Sequence, residues 1–276
     1  MGVSHECDYP PQVRNKLKVT SSEISNSMSS GEIDDQVKKM GHRGPGVFHI
    51  KERLLKKLKP NFILTQELCE VCAVGFNQVK KAARVLDGDV KIISLEPEGV
   101  EDILENIQTV SQYTDREEIA NKKILSLRSR MTRVSSRLCS NKNILRLSKA
   151  HGEVPKVLVI EWLDPFMIAG HWVPKMVELS GGKNLISKRG ERSKIVTIDQ
   201  MKSINPDILI ISPCGFDIQR TIQEKELIDD LRLKINDKNL KIFLIDGNAY
   251  MTRPGPRIVD GIERLCAIIL NRHANS

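Results

Sequence analysis

Hydrophobic positions in this chain fall into short runs broken by polar or proline-containing stretches, with one long exception. Residues 100–151 contain neither glycine nor proline, although both are well represented elsewhere. Such a block predicts helix. Val100, Ile103, Leu104, Ile107 and Val110 recur at the 3.6-residue spacing of one buried helical face. Thr114 followed by Glu117 has the spacing of a capping box and predicts a second helix, with Ile119, Leu127, Met131, Val134 and Leu138 as its buried positions. If unbroken to residue 150, that helix is a rod of ~50 Å.

On either side of the block the pattern repeats. Leu55-Lys56-Lys57-Leu58-Lys59-Pro60-Asn61-Phe62-Ile63-Leu64 matches Met201-Lys202-Ser203-Ile204-Asn205-Pro206-Asp207-Ile208-Leu209-Ile210 in kind: a helix end, a proline break, then a short apolar strand. Further strands are predicted over 90–95, 156–160 and 241–245. Short apolar strands alternating with helices imply parallel sheets covered on both faces. The expected architecture is α/β: a first lobe over residues 1–111, a linker helix over 112–150 and a second lobe over 151–276. In such sheets ligands bind beyond the carboxyl ends of the strands.

Six segments therefore draw attention: His5-Glu6-Cys7-Asp8-Tyr9-Pro10, residues 65–72, Ser94-Leu95-Glu96-Pro97, residues 161–174, Ser212-Pro213-Cys214-Gly215, and residues 246–257. The stretch 161–174 holds both tryptophans, Trp162 and Trp172, with His171 between them. A tryptophan offers a broad apolar face for a flat ring system and one N–H donor; capping of the core is the alternative role. Likewise His171 serves as a ligand contact or as a hydrogen-bonded structural residue.

Cys69 and Cys72 form a single CxxC pair, and zinc needs four ligands. Cys7 and Cys214 from other strand-end segments would complete a four-thiolate set for zinc or an iron–sulfur centre. Simple burial of free thiols is the alternative, and Cys139 and Cys266 sit at helical positions that read as structural. No Gly-x-Ser-x-Gly, phosphate-binding Gly-rich loop or His-Glu-x-x-His is present, which argues against a hydrolase or a nucleotide-driven enzyme.

The chain has 276 residues and a formal net charge of +8. All of the excess comes from 121–150, where nine basic residues and no acidic one occur. Without interleaved aromatics for bases to stack on, this reads as a solvated helix face rather than a nucleic-acid site. No apolar run is long enough to span a bilayer, and the first residues have neither a basic nor an apolar leader region. As written, the sequence predicts a cytoplasmic protein; a truncated start would make it extracytoplasmic. Six cysteines are too few for a disulfide scaffold and suit a reducing compartment.

Taken together, residues 2–10, Leu64-Thr65-Gln66-Glu67-Leu68-Cys69-Glu70-Val71-Cys72-Ala73-Val74, Ser94-Leu95-Glu96-Pro97, Glu161-Trp162-Leu163-Asp164-Pro165, Ala169-Gly170-His171-Trp172-Val173-Pro174 and Arg253-Pro254-Gly255-Pro256-Arg257 resemble, in order and over nearly the whole chain, the cobalamin-binding proteins of the periplasmic-binding class with a helical linker. That resemblance implies two Rossmann-like lobes joined by a rigid helix. It also implies a corrinoid or related metal chelate as ligand, and delivery to an ABC permease without chemical change. Members carry a strand and a helix ahead of the position of Gly2, so the first lobe is expected to be incomplete. On this reading the ligand contacts are His5, Glu6 and Glu67 from the first lobe and Trp162, Asp164, His171, Trp172, Tyr250 and Arg253 from the second. The alternative is a metal or iron–sulfur protein that reuses the fold through Cys7, Cys69, Cys72 and Cys214.

Overall fold

The computed structural model describes the chain apart from residues 26, 42–46, 67–75, 85, 87–89, 141–153 and 272–276. It divides into two compact units, Met1–Glu96 and Pro97–Ser276.

In the first unit, β1 (Gly2–Val3) pairs in parallel with β2 (Leu17–Lys18), and β3 (Thr20–Ser22) pairs antiparallel with β4 (Phe48–Ile50). Between β3 and β4 lies α1 (Ser30–Gly41). Next come α2 (Glu52–Leu58), β5 (Phe62–Thr65), α3 (Phe76–Ala83) and β6 (Lys91–Ser94), with β5 and β6 parallel and in register from Phe62↔Lys91 to Thr65↔Ser94. Ile33, Val47, Phe48, Leu55, Val79 and Ala82 are its buried apolar side chains.

The second unit opens with α4 (Val100–Gln112) and α5 (Glu117–Ser140). Val100, Ile103 and Leu104 are buried along α4 as the periodicity requires, and Asp102 reaches back to accept from the Gly99 N–H at 2.7 Å. The expected capping box at Thr114 does not form. Its hydroxyl turns back to donate to the Val110 and Ser111 carbonyls, and α5 begins after Asp115, which sits in the left-handed region at φ 51°. Along α5 Leu127, Met131 and Val134 are buried and Leu138 is half-buried, but Ile119 is 62% exposed and Ala120 takes the inward position. The expected continuation of the rod to residue 150 lies outside the described residues.

The sheet of this unit has the order β10-β8-β7-β11-β12, with β9 also on β7. Its strands are β7 (Lys156–Leu163), β8 (Phe166–Ile168), β9 (Lys183–Asn184), β10 (Lys194–Ile195), β11 (Ile208–Ile211) and β12 (Lys241–Leu244). The interleaved helices are α6 (Val173–Leu179), α7 (Ile198–Ile204), α8 (Ile218–Gln223), α9 (Lys225–Ile235), α10 (Gly247–Tyr250) and α11 (Ile258–Asn271). The strands β7, β11 and β12 are parallel neighbours. Burial on both faces explains why β11 reads as an unbroken Ile-Leu-Ile-Ile run.

Both copies of the sequence repeat have the same local build. The helix α2 ends at Lys59 and α7 at Asn205, each in the left-handed conformation, and each followed by proline and a strand. A left-handed cap closes the helix end, and the proline cannot continue it.

The basic face of α5 is not wholly solvated. Arg130 donates to both carboxylate oxygens of Glu263 on α11, at 2.9 and 2.6 Å, and also pairs with Asp260. The Glu263 carboxyl is held below the usual glutamate range, first by the Arg130 hydrogen bond. This clamp ties α5 to α11, so one arginine of the face expected to be solvated is paired within the chain.

Candidate functional site

The carboxyl ends of β7, β11 and β12 lie side by side, and the loops that follow them are bound into one surface. Backbone N–H groups of Ser212 and Cys214 donate to the carbonyls of Ile160 and Glu161 at 2.8 and 2.9 Å, and Asn248 N–H donates to the Phe216 carbonyl at 3.1 Å. The Pro213-Cys214-Gly215-Phe216 turn closes through Phe216 N–H to Pro213 O at 3.1 Å, with Gly215 at φ 77°. A positive φ at the third position is the type II geometry that selects glycine. A second glycine is dictated by proximity: a Cβ on Gly247 would stand 2.1 Å from the Pro213 carbonyl oxygen. Asp217 and Asp246 then cap α8 and α10 by accepting from Arg220 N–H and Ala249 N–H, both at 2.7 Å.

Trp162 and Asp164 occupy this end of the sheet. Where a strand over 156–160 is expected to end, β7 runs on to Leu163 and is followed by a tight Asp164–Pro165 connection with a cis peptide and by the antiparallel β8. Trp162 is half-buried; its indole N–H donates to the Asp164 carbonyl at 3.0 Å, and its ring stands 5.3 Å from that of Phe216 at 55°. Phe216 is buried and was not among the expected contacts, although an aromatic closing a Ser-Pro-Cys-Gly turn is a readable signal. Tyr250 follows β12 at the end of α10, half-buried, with the Arg264 guanidinium 4.1 Å over its ring and donating to its hydroxyl at 3.0 Å. Arg253 is half-buried three residues beyond α10. Trp162 thus leaves part of an aromatic ring open at the end of β7 beside the exposed Asp164, and Tyr250 and Arg253 follow β12 at the same end of the sheet.

No family model matches the chain. The vitamin B12-binding protein of Vibrio cholerae is 21% identical across 98% of this chain and 80% of its own length. Among solved structures, the periplasmic vitamin B12-binding protein of the same organism superposes with a TM-score of 0.64 at 18% identity, covering 100% of this chain and 89% of that one. A periplasmic heme-binding protein from Pseudomonas aeruginosa superposes with a TM-score of 0.69 at 14% identity, covering 98% of this chain and 84% of that one. This chain has the fold of the two-lobed, helix-linked solute-binding proteins. Its resemblance to the cobalamin-binding branch runs through nearly the whole sequence.

Within this solute-binding fold the two tryptophans part company. Trp172 is only 6% exposed, and its indole N–H donates to the Met251 carbonyl at 2.7 Å, so the ring is a core residue that secures the turn after α10. By His171 the chain has already turned back along β7, because Ile168 pairs with Ile160 and Ala169 N–H donates to Val159 O. His171 sits at φ 53° with its N–H bonded to Glu191 O at 2.7 Å; its ring is half-buried and the buried Nδ1 has no hydrogen-bond partner. Burial lowers its pKa, and Arg192 acts in the same direction. Sequence spacing grouped Trp162 with His171 and Trp172, whereas the hairpin sends them along different paths.

In the first unit, His5 and Glu6 lie just beyond β1. The His5 ring is anchored by Thr20 Oγ1 at 2.7 Å from Nδ1, faces Phe48 at 5.4 Å, and brings Nε2 to 3.3 Å from Glu6 Oε1. Cys7 is a half-buried free thiol whose carbonyl accepts from Lys18 Nζ. Glu67, Cys69 and Cys72 lie outside the described residues. Among the described residues no group of three or more His, Cys, Asp or Glu side chains is placed to hold a metal ion. Cys214 is half-buried, and Cys266 is buried on α11, where desolvation pushes its pKa up. No helix among the described residues is long and apolar enough to cross a membrane.

Proposed function

We propose that this chain is the solute-binding component of an ABC-type importer, taking a corrinoid or a related flat metal chelate and handing it on unchanged. The observation that carries the reading is the half-exposed Trp162 ring, backed by Phe216, at the carboxyl ends of the second unit's parallel strands. Full-length likeness to proteins that bind vitamin B12 and heme supports the same ligand class. Trp162 supplies the stacking face, while Asp164, Tyr250 and Arg253 orient polar groups at the ligand's edge. The periplasmic vitamin B12- and heme-binding proteins that share its fold support an extracytoplasmic place for this chain too.

Titration of the purified protein with hydroxocobalamin, and separately with hemin, followed by visible absorption, tests the proposal. A saturable spectral change with one of the two is expected. Trp162→Ala should weaken that binding about tenfold, the loss of ~1.4 kcal/mol of stacking and burial. No spectral change with either chelate at micromolar protein would end the proposal.

A further inference from the structure

Trp162 is the outermost member of a buried stack. Behind it stands Phe216, and over Phe216 lies the guanidinium of Arg220, with Cζ 4.1 Å from the ring centroid. Arg220 Nη2 donates to Glu224 Oε1 at 2.7 Å. This ion pair is deep: the side chains of Arg220 and Glu224 are 14% and 5% exposed. Arg220 and Glu224 are four residues apart, the spacing that brings side chains together on one side of a helix, and Phe216 stands just before the helix, aligned with them by its contact to the Arg220 guanidinium. The capping Asp217 starts α8 directly after Phe216 and so fixes this alignment.

A buried ion pair gives little net stability, because desolving both charges offsets their attraction. An apolar pair would fill the same volume without that cost. What the charged pair adds is direction: a guanidinium attracted to an aromatic face and anchored by a carboxylate sets the plane of that ring.

We infer that Glu224 and Arg220 are a positioning pair for the ligand platform, holding Phe216, and through it Trp162, in stacking orientation before the chelate arrives. The inference rests on the proposed function. Its physical benefit is preorganisation, since a side chain already ordered in the free protein has less freedom to lose on binding.

The test removes the pair as a unit, through Arg220→Met combined with Glu224→Leu, so that no buried charge is left unpaired. Two readouts are taken: affinity for hydroxocobalamin or hemin, whichever the wild type binds, and the side-chain indole N–H signals in a nitrogen-15 spectrum of the free protein. The Trp162 signal is assigned by its loss in Trp162→Phe. The double variant should bind about fivefold more weakly, with the Trp162 signal shifted and broadened while that of Trp172 stays in place. Arg220→Lys, which keeps the charge but not the planar fork, should fall between wild type and double variant. It carries the test alone if the double variant does not fold. Unchanged affinity in the variants overturns the inference, whether or not the signal moves. If the wild type takes neither chelate, the proposed function fails on its own, while an unmoved Trp162 signal in the free double variant separately removes the stack as a positioning device.

Discussion

The two copies of the helix, proline and strand pattern share a local build and differ in what surrounds them. In the first unit β5 is half-exposed along its length, with Leu64 39% exposed, and among the described residues it pairs with β6 alone. In the second unit β11 lies between β7 and β12, and all four of its side chains are 0% exposed. Leu209 and Ile211 pack on one face with Leu158, Ile160, Met201 and Leu231. A capped helix end and a proline break make the unit; the number of neighbouring strands decides how much burial it delivers.

Equal truncations should separate the two copies. Ile210→Ala should cost about 2–5 kcal/mol, a transfer loss plus a cavity that close-packed neighbours cannot fill. Ile63→Ala, at a half-exposed position, should cost about 1 kcal/mol. Urea denaturation measures both, and hydrogen exchange resolved to residues 62–65 and 208–211 assigns each loss to its unit. Similar costs at the two positions would mean that strand neighbours do not set the difference.

The same contrast governs what could be read from the sequence. Residues 156–160 and 208–211 were legible as strands because burial on both faces leaves an unbroken apolar run. That property hid the hairpin: Glu161-Trp162-Leu163 continues β7 without alternation, so Asp164-Pro165 looked like the middle of a loop when it is the turn between two strands. The role of Trp172 depends on Met251, 79 residues away, and no local pattern carries a contact of that range. Thr114 had the spacing of a cap, but its hydroxyl had nearer carbonyl acceptors in the helix it follows. The segments that hold Trp162, Asp164, Tyr250 and Arg253 stand out through a rule about strand ends, which depends on topology alone, and the contacts assigned to them belong to the proposal. Phe216 touches Trp162 and Arg220 touches Phe216 across the fold, contacts that no local pattern carries.

A smaller effect separates the helical layer of the second unit from its sheet. The Glu263 carboxyl is acidified in the folded chain by Arg130, so the folded state binds its proton less readily than the unfolded state does. The stabilisation is therefore complete above the ordinary glutamate range and is lost as pH falls through the lowered folded value. Glu263 is more than a third exposed, and solvent screening limits the contribution to about 0.5–1 kcal/mol. Arg130→Gln should lower the urea midpoint at pH 7 and shrink the drop in that midpoint between pH 5 and pH 3. An acid response identical to wild type would detach the clamp from this part of the stability curve.

The smallest effect returns to the repeated units and isolates their shared element, the left-handed residue that ends each helix. Lys59 and Asn205 have φ of 44° and 52°, so the two backbones are matched and only the side chains differ. A lysine there brings its Cβ against the following carbonyl, whereas asparagine enters this region at lower cost through local hydrogen bonding. Glycine relieves the steric term but adds freedom to the unfolded chain, which takes back part of the gain. Lys59→Gly should therefore stabilise by about 0.5–1 kcal/mol and Asn205→Gly by about 0.3 kcal/mol or less. The reverse exchange, Lys59→Asn against Asn205→Lys, should move the two units in opposite directions by similar amounts, because cap geometry does not depend on how deeply the following strand is buried. Hydrogen exchange of α2 and α7 reads each change where it is made. A larger gain at Asn205 than at Lys59 would show that burial of β11 reaches back into the cap, and that the two copies differ locally as well as in their surroundings.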